Sequence, residues 1–249
     1  MLLFVSSVNP IWGQFSVDMR FMDNRDDYIL KVSNLNVKFQ SQTILDNINF
    51  KLKKGMTLAI VGPNGAGKSV LFKALLNLTP YTGKIEWSDR VKIGYVPQHF
   101  SISDIPISAK EFLLFKKSPE IENALNSVGL DSEEILDKRL NILSGGQLRR
   151  VLIAWAIIDK PEVLLFDEPT TGVDLDSEEA IYRMLKELER KNNITTLLIS
   201  HSPHIIENYS DYMLGLNKCM TFFGESKKIA DPSVQQVIFG EPVCIHTEE

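Results

Sequence analysis

A chain of 249 residues, 44% hydrophobic and 24% charged, is long enough for one or two domains around a large buried core. Its net charge of -5 excludes wholesale nucleic-acid binding, which needs a basic excess to meet a phosphate backbone. Its two cysteines, Cys219 and Cys244, are too few for a disulfide framework and point to a reducing compartment, and no apolar run reaches the roughly 20 residues that span a membrane.

Residues 1–27 show no clear period and close on the charged run Asp23-Asn24-Arg25-Asp26-Asp27. They read as a loosely ordered extension, with Met19 and Met22 as alternative starts. Met1-Leu2-Leu3-Phe4-Val5 lacks the basic flank of a signal peptide. The segments Tyr28 to Val32, Val37 to Phe39 and Ile48 to Leu52 alternate apolar and polar residues, as half-buried strands of an antiparallel layer do. Leu58 to Val61 is a buried strand. Val70, Leu71, Ala74, Leu75 and Leu78 then lie at helical spacing, with Pro80 beyond them. Lys84 to Trp87 and Lys92 to Val96 read as two further strands.

From about Phe100 the pattern turns helical. Ser108-Ala109-Lys110-Glu111 is a capping box, Pro119-Glu120 and Asp131-Ser132-Glu133-Glu134 open two more helices, and Ser144-Gly145-Gly146-Gln147 is again a Ser-x-x-Gln cap. Val163 to Phe166 is fully apolar, as a central parallel strand is. A helix face follows at Ala180, Ile181, Met184, Leu185 and Leu188, then a buried strand from Thr195 to Ser200. The expected class is α/β, and with the phosphate-loop pattern G-x-x-x-x-G-K-S at Gly62 to Ser69 it reads as a P-loop NTPase core with an antiparallel β subdomain and an inserted helical subdomain at about residues 100–155. The domain runs over 28–240, and 241–249 form a tail. No internal repeat or low-complexity tract is present. In the tail, Cys244-x-His246 with Cys219 elsewhere gives too few ligands, at no diagnostic spacing, for a metal site.

The most informative stretch is Gly62-Pro63-Asn64-Gly65-Ala66-Gly67-Lys68-Ser69, which fits G-x-x-x-x-G-K-[ST] between a strand and a helix. The glycines let the backbone curl so that several N–H groups point at one phosphate chain, and the helix adds the positive end of its dipole. Lys68 supplies a mobile charge for the outer phosphates of a nucleotide, and Ser69 a hydroxyl for Mg²⁺. The strand Val163 to Phe166 runs into Asp167-Glu168, which delivers two carboxylates to the edge where open α/β sheets bind ligands. Asp167 is placed to hold Mg²⁺ with Ser69, and Glu168 to polarise an attacking water as general base.

With these motifs and those that follow, the chain resembles the ATP-binding subunits of ABC transporters over about residues 28–240. Leu143 with Ser144-Gly145-Gly146-Gln147 is similar to the LSGGQ signature, Asp167-Glu168-Pro169-Thr170 with Asp174 to the Walker B and D-loop, Gln98 to the Q-loop glutamine, and His201 to the switch histidine. Phe39 stands where the family has an aromatic residue that stacks on adenine, although a core strand residue is its plain alternative. Val70 stands where many relatives carry Thr, which keeps the backbone N–H and loses a hydroxyl near the α-phosphate.

The resemblance implies two copies paired head to tail, with ATP between the phosphate loop of one and the signature turn of the other. It also implies that His201 orients the γ-phosphate and water, and that Gln98 reaches the metal. Ile93 to Gln98, Ile105-Pro106-Ile107-Ser108, Asp167 to Asp174 and Phe239 to Thr247 are similar to the zinc/manganese-type metal importers. That subgroup implies a separate membrane permease, an extracytoplasmic solute-binding protein acting through it, and a peripheral position on the cytoplasmic face of the plasma membrane. A soluble ABC ATPase of the iron–sulfur assembly type remains the alternative.

Overall fold

A computed structural model describes residues 28–98, 100, 107–168 and 175–240. The first layer is an antiparallel sheet of order β2-β1-β4, with β1 at Tyr28–Phe39, β2 at Gln42–Lys53 and β4 at Thr82–Trp87. β1 is one continuous strand where the sequence pattern suggests two short ones. The alternation slips because the β1–β2 register shifts on both sides of Leu35, and the slip is stabilised by asparagines. Asn34 and Asn47 take φ of 50° and 48°, a region Asn tolerates better than most residues. Their N–H groups donate to Asn49 Oδ1 (2.7 Å) and Asn36 Oδ1 (2.9 Å).

The second sheet has the order β5-β6-β7-β3-β8-β9. Its strands are β3 (Thr57–Val61), β5 (Ile93–Val96), β6 (Val163–Asp167), β7 (Thr195–Ile199), β8 (Tyr212–Asn217) and β9 (Cys219–Glu225). All neighbours are parallel except the β8–β9 hairpin. β3, β6 and β7 are buried at every position, which is why they read as unbroken apolar runs. Alternate residues serve opposite faces. Val163 and Leu165 join the core shared with the antiparallel layer and helix α1 (Lys68–Leu75). Leu164 and Phe166 join the core shared with the helical segment.

That segment comprises α2 (Ala109–Leu114), α3 (Ile121–Ser127), α4 (Ser132–Ile135) and α5 (Gly145–Ile157). Ser108 and Ser144 each close a capping box, and Asp131 caps α4, so the sequence-level starts hold. After α6 (Leu175–Asn192) and β7, the chain adds α7 (Pro203–Tyr209), the β8–β9 hairpin and α8 (Pro232–Phe239). Cys219 is buried on β9, with its Sγ 3.6 Å from the Asn217 carbonyl oxygen, and Cys244 lies outside the described residues. No helix among the described residues is long and apolar enough to cross a membrane.

Candidate functional site

The β3 strand feeds directly into the glycine-rich turn, and α1 starts from it with Gly67 as its N-cap. Two positions require glycine. Gly62 has φ 151°, and a Cβ there would lie 1.9 Å from the Leu216 carbonyl oxygen on β8. Gly67 has φ 99°, and a Cβ there would lie 2.7 Å from Leu45 Cδ2 on β2. The turn is braced from behind by the β8–β9 hairpin, where Lys218 N–H donates to the Ala66 carbonyl at 2.9 Å. Asn64 and Gly65 are exposed at the rim, Pro63 is half-buried, and Ala66 is buried.

Lys68 is buried, and its Nζ donates to the carbonyls of Gly62 and Pro63, each at 3.0 Å. Burial pulls its pKa down, while the Glu168 and Asp167 carboxylates oppose the shift. The loop thus presents a helix N-terminus and a desolvated ammonium together, which suits a phosphate chain in both charge and shape. Val70 sits half-buried on α1.

Asp167 ends β6 at 3% exposure. Ser69 Oγ donates to its Oδ1 at 3.2 Å, and the Tyr95 hydroxyl lies beside it. Burial pushes the Asp167 carboxyl above the usual carboxylate range; the Ser69 hydrogen bond opposes this and Glu168 adds to it. The Tyr95 phenol is pushed up to about 12, first by burial and then by the charge of Asp167. A hydroxyl beside a buried carboxylate is the hard-oxygen pair that Mg²⁺ takes alongside phosphate oxygens, so the donor set fits that ion.

Glu168 follows in a left-handed conformation, φ 46°, which turns its side chain away from the strand direction. Its N–H donates to the Ile199 carbonyl at 3.2 Å, tying it to the end of β7. Gln98 Nε2 donates to Glu168 Oε2 at 2.5 Å, and His201 Nε2 lies 2.6 Å from Oε1. Residues from the ends of β5, β6 and β7 therefore meet on one carboxylate.

The other sequence-derived candidates lie around this centre. Phe39, at the end of β1, is 46% exposed, an unusual setting for a core aromatic and a suitable one for a stacking face. Ser144 and Gly145 are exposed at the start of α5. Ser144 Oγ accepts from Gln147 N–H (3.2 Å), and Gln147 Oε1 accepts from Ser144 N–H (3.1 Å), with Gly146 between them. Asp174 lies outside the described residues. Two residues were not singled out from sequence. Tyr95 could have been noticed as a polar-tipped residue two before Pro97 on β5, and Arg149 as a charge within a helix buried on nearly all sides; its guanidinium donates to the carbonyls of Pro97 (2.9 Å) and Gln98 (3.2 Å).

Comparison with known proteins agrees with this geometry. The family profile described as "ABC transporter" matches residues 45–171. The zinc import ATP-binding protein ZnuC of Haemophilus influenzae is 34% identical over 221 residues, 87% of this chain and 82% of that protein. ZnuC of Histophilus somni is 36% identical over 217 residues, 85% of this chain and 81% of that protein. Among solved structures, cbiO1 of Clostridium perfringens, part of the ABC transporter complex cbiONQ, is 29% identical with a TM-score of 0.74, covering 85% of this chain and 94% of that one. The chain belongs to the ABC transporter family and is one of its ATP-binding subunits, an ATP hydrolase.

Proposed function

We propose that this ATPase energises import of a divalent metal ion, zinc or manganese, through a separate membrane permease. In this reading it sits on the cytoplasmic face of the plasma membrane by way of that permease, and a solute-binding protein delivers the cargo from outside. The cargo class rests on the zinc import proteins to which the chain is similar over most of its length.

The chemistry rests on one observation: a single carboxylate, Glu168, is hydrogen-bonded to Gln98 and His201 beside the phosphate loop. Lys68 and the N–H groups of Gly65 to Val70 bind the β- and γ-phosphates, and Phe39 stacks on the base. Ser69, Asp167 and Gln98 would hold Mg²⁺, which would supply positive charge against the phosphate oxygens. Glu168 takes the proton of the attacking water. His201 orients that water and the γ-phosphate.

Ser144, Gly145, Gly146 and Gln147 offer a hydroxyl and helix N-terminal N–H groups to the γ-phosphate held by a second copy, and Asp174 completes that contact. Each site is then incomplete until two copies close on ATP head to tail, so hydrolysis depends on dimer closure.

The test is to isolate the chain with its membrane partner and reconstitute the complex in vesicles. The expected result is co-purification with a multi-span permease and ATP-dependent uptake of Zn²⁺ or Mn²⁺. A stable soluble complex with iron–sulfur assembly proteins, and no such permease, would overturn the transport reading.

A further inference from the structure

We propose that Arg149 is a positioning residue that couples the Ser144 turn to Glu168 through the backbone of Gln98. The inference rests on the reading of Glu168 as general base and of Ser144 as part of a site shared between two copies.

The observations form one chain of contacts. Arg149 lies on α5, five residues after Ser144, which places it about 7.5 Å along the helix axis from the turn. It is only 7% exposed. Its Nη1 donates to the Pro97 carbonyl at 2.9 Å and its Nη2 to the Gln98 carbonyl at 3.2 Å. One planar guanidinium thus bridges two consecutive carbonyls through two separate nitrogens held in one rigid plane, which fixes their relative orientation more tightly than a single ammonium nitrogen would. The side chain of the same Gln98 holds Glu168 Oε2 at 2.5 Å.

A second tie joins the same segment to the same helix. Phe100 packs edge-on against Phe112 with ring centroids 5.4 Å apart, and Phe112 stacks on Trp155 of α5 at 5.7 Å. The next residue on α5, Arg150, points elsewhere: its Nη1 donates to the Val128 carbonyl at the end of α3, at 3.1 Å. The two adjacent arginines therefore fasten α5 on two sides, to the end of α3 and to the Gln98 segment.

Glu168 follows the neighbouring strand β6, and its N–H is held by Ile199 at the end of β7. The Gln98–Glu168 hydrogen bond thus joins the end of β6 to the segment after β5 that Arg149 ties to α5. A displacement of the Ser144 turn, as when it engages a phosphate on a second copy, is carried along α5 and applied to Gln98 by Arg149. In a dimer this links closure at one nucleotide to the base that serves the other.

Burying a guanidinium against two neutral carbonyls costs desolvation that an apolar side chain of the same length would avoid. A role in packing alone would not need it.

The test uses the full-length chain and its steady-state ATPase activity. Arg149→Lys and Arg149→Met are each expected to lower kcat about tenfold, with ATP affinity changed less than about twofold and the melting temperature within a few degrees. Should Arg149→Met fail to fold, Arg149→Lys decides. A packing role predicts instead that Met restores full turnover. The readout specific to positioning is the double variant: Arg149→Lys with Gln98→Ala should be no slower than Gln98→Ala alone, because both break the same linkage. Multiplicative losses, an unchanged kcat in Arg149→Lys, or an unchanged kcat in Gln98→Ala each overturn the inference. Glu168→Gln is assayed in parallel. If it turns over normally, the general-base reading itself fails; if it is inactive while Arg149→Lys is not, only the role of Arg149 fails.

Discussion

Gln98 Nε2 and Glu168 Oε2 lie 2.5 Å apart although 70 residues separate them in the chain. The opposite oxygen of the same carboxylate is 2.6 Å from His201 Nε2. A carboxylate gripped on both oxygens has a fixed orientation but little freedom to accept a water proton, so the productive arrangement requires one partner to shift. His201 is exposed where Gln98 is half-buried, so it is the freer of the two partners. His201→Ala is expected to reduce kcat about 10²-fold while the dissociation constant for ATP changes less than about threefold. Steady-state kinetics with an independent nucleotide-binding titration separate these. Loss of binding with unchanged kcat would show that His201 only holds nucleotide.

The Lys68 ammonium is held at the phosphate loop by the Gly62 and Pro63 carbonyls, and the Glu168 and Asp167 carboxylates favour its charged form against burial. Lys68→Ala should weaken ATP binding at least about tenfold, the loss expected when a charge-assisted contact is removed. Fluorescent-nucleotide titration measures this directly. Binding within twofold of the parent would contradict the assignment.

Gly62 links the stability of the sheet to the geometry of the site. A methyl group there meets the Leu216 carbonyl at 1.9 Å, closer than any van der Waals contact, and neither β3 nor β8 can move without disturbing its ladder. Gly62→Ala should destabilise the fold by about 3 kcal/mol and also abolish ATP binding. Denaturant unfolding, together with a binding titration below the unfolding midpoint, checks both.

Much of this site is legible in the sequence because its parts are local. The phosphate loop, the two capping boxes at Ser108 and Ser144, and the apolar strand ending in Asp167 each carry their own short pattern. Tyr95 and Arg149 were missed because their significance is set by partners distant in sequence: Asp167 for the one, Pro97 and Gln98 for the other. The fold shows the same division. The P-loop core and its two subdomains follow from period and cap signals. The unbroken β1 does not, because an asparagine ladder across β2 replaces side-chain alternation as the source of order. The β8–β9 hairpin turns at Lys218, φ 64°, rather than at a glycine, so it lacks the usual turn signature.

Glu189 gives the fold a pH dependence remote from the chemistry. On α6 it is buried against Thr57 Oγ1, which donates to it at 3.0 Å, with Lys186 Nζ 3.4 Å away. Burial pushes its carboxyl above the ordinary range despite these partners. The folded state therefore holds the proton more tightly than the unfolded one. The associated stability is present below the unfolded pKa and is lost as pH rises through the folded pKa. Glu189→Gln cannot ionise, so its stability relative to the parent should increase between about pH 4 and about pH 8. Urea unfolding at both ends of that range tests the sign; a relative stability that falls with rising pH would contradict it.

The central claim is that Glu168 drives hydrolysis within a site completed by a second copy. Glu168→Gln preserves the shape of the side chain and removes its basicity. The most direct measurement is the kcat of this variant, taken with its ATP-dependent assembly state by size-exclusion chromatography with light scattering. The account predicts turnover lowered at least about 10²-fold, ATP binding retained, and a dimer that accumulates with ATP and Mg²⁺. Normal turnover, or a variant that binds ATP and stays monomeric, would contradict it.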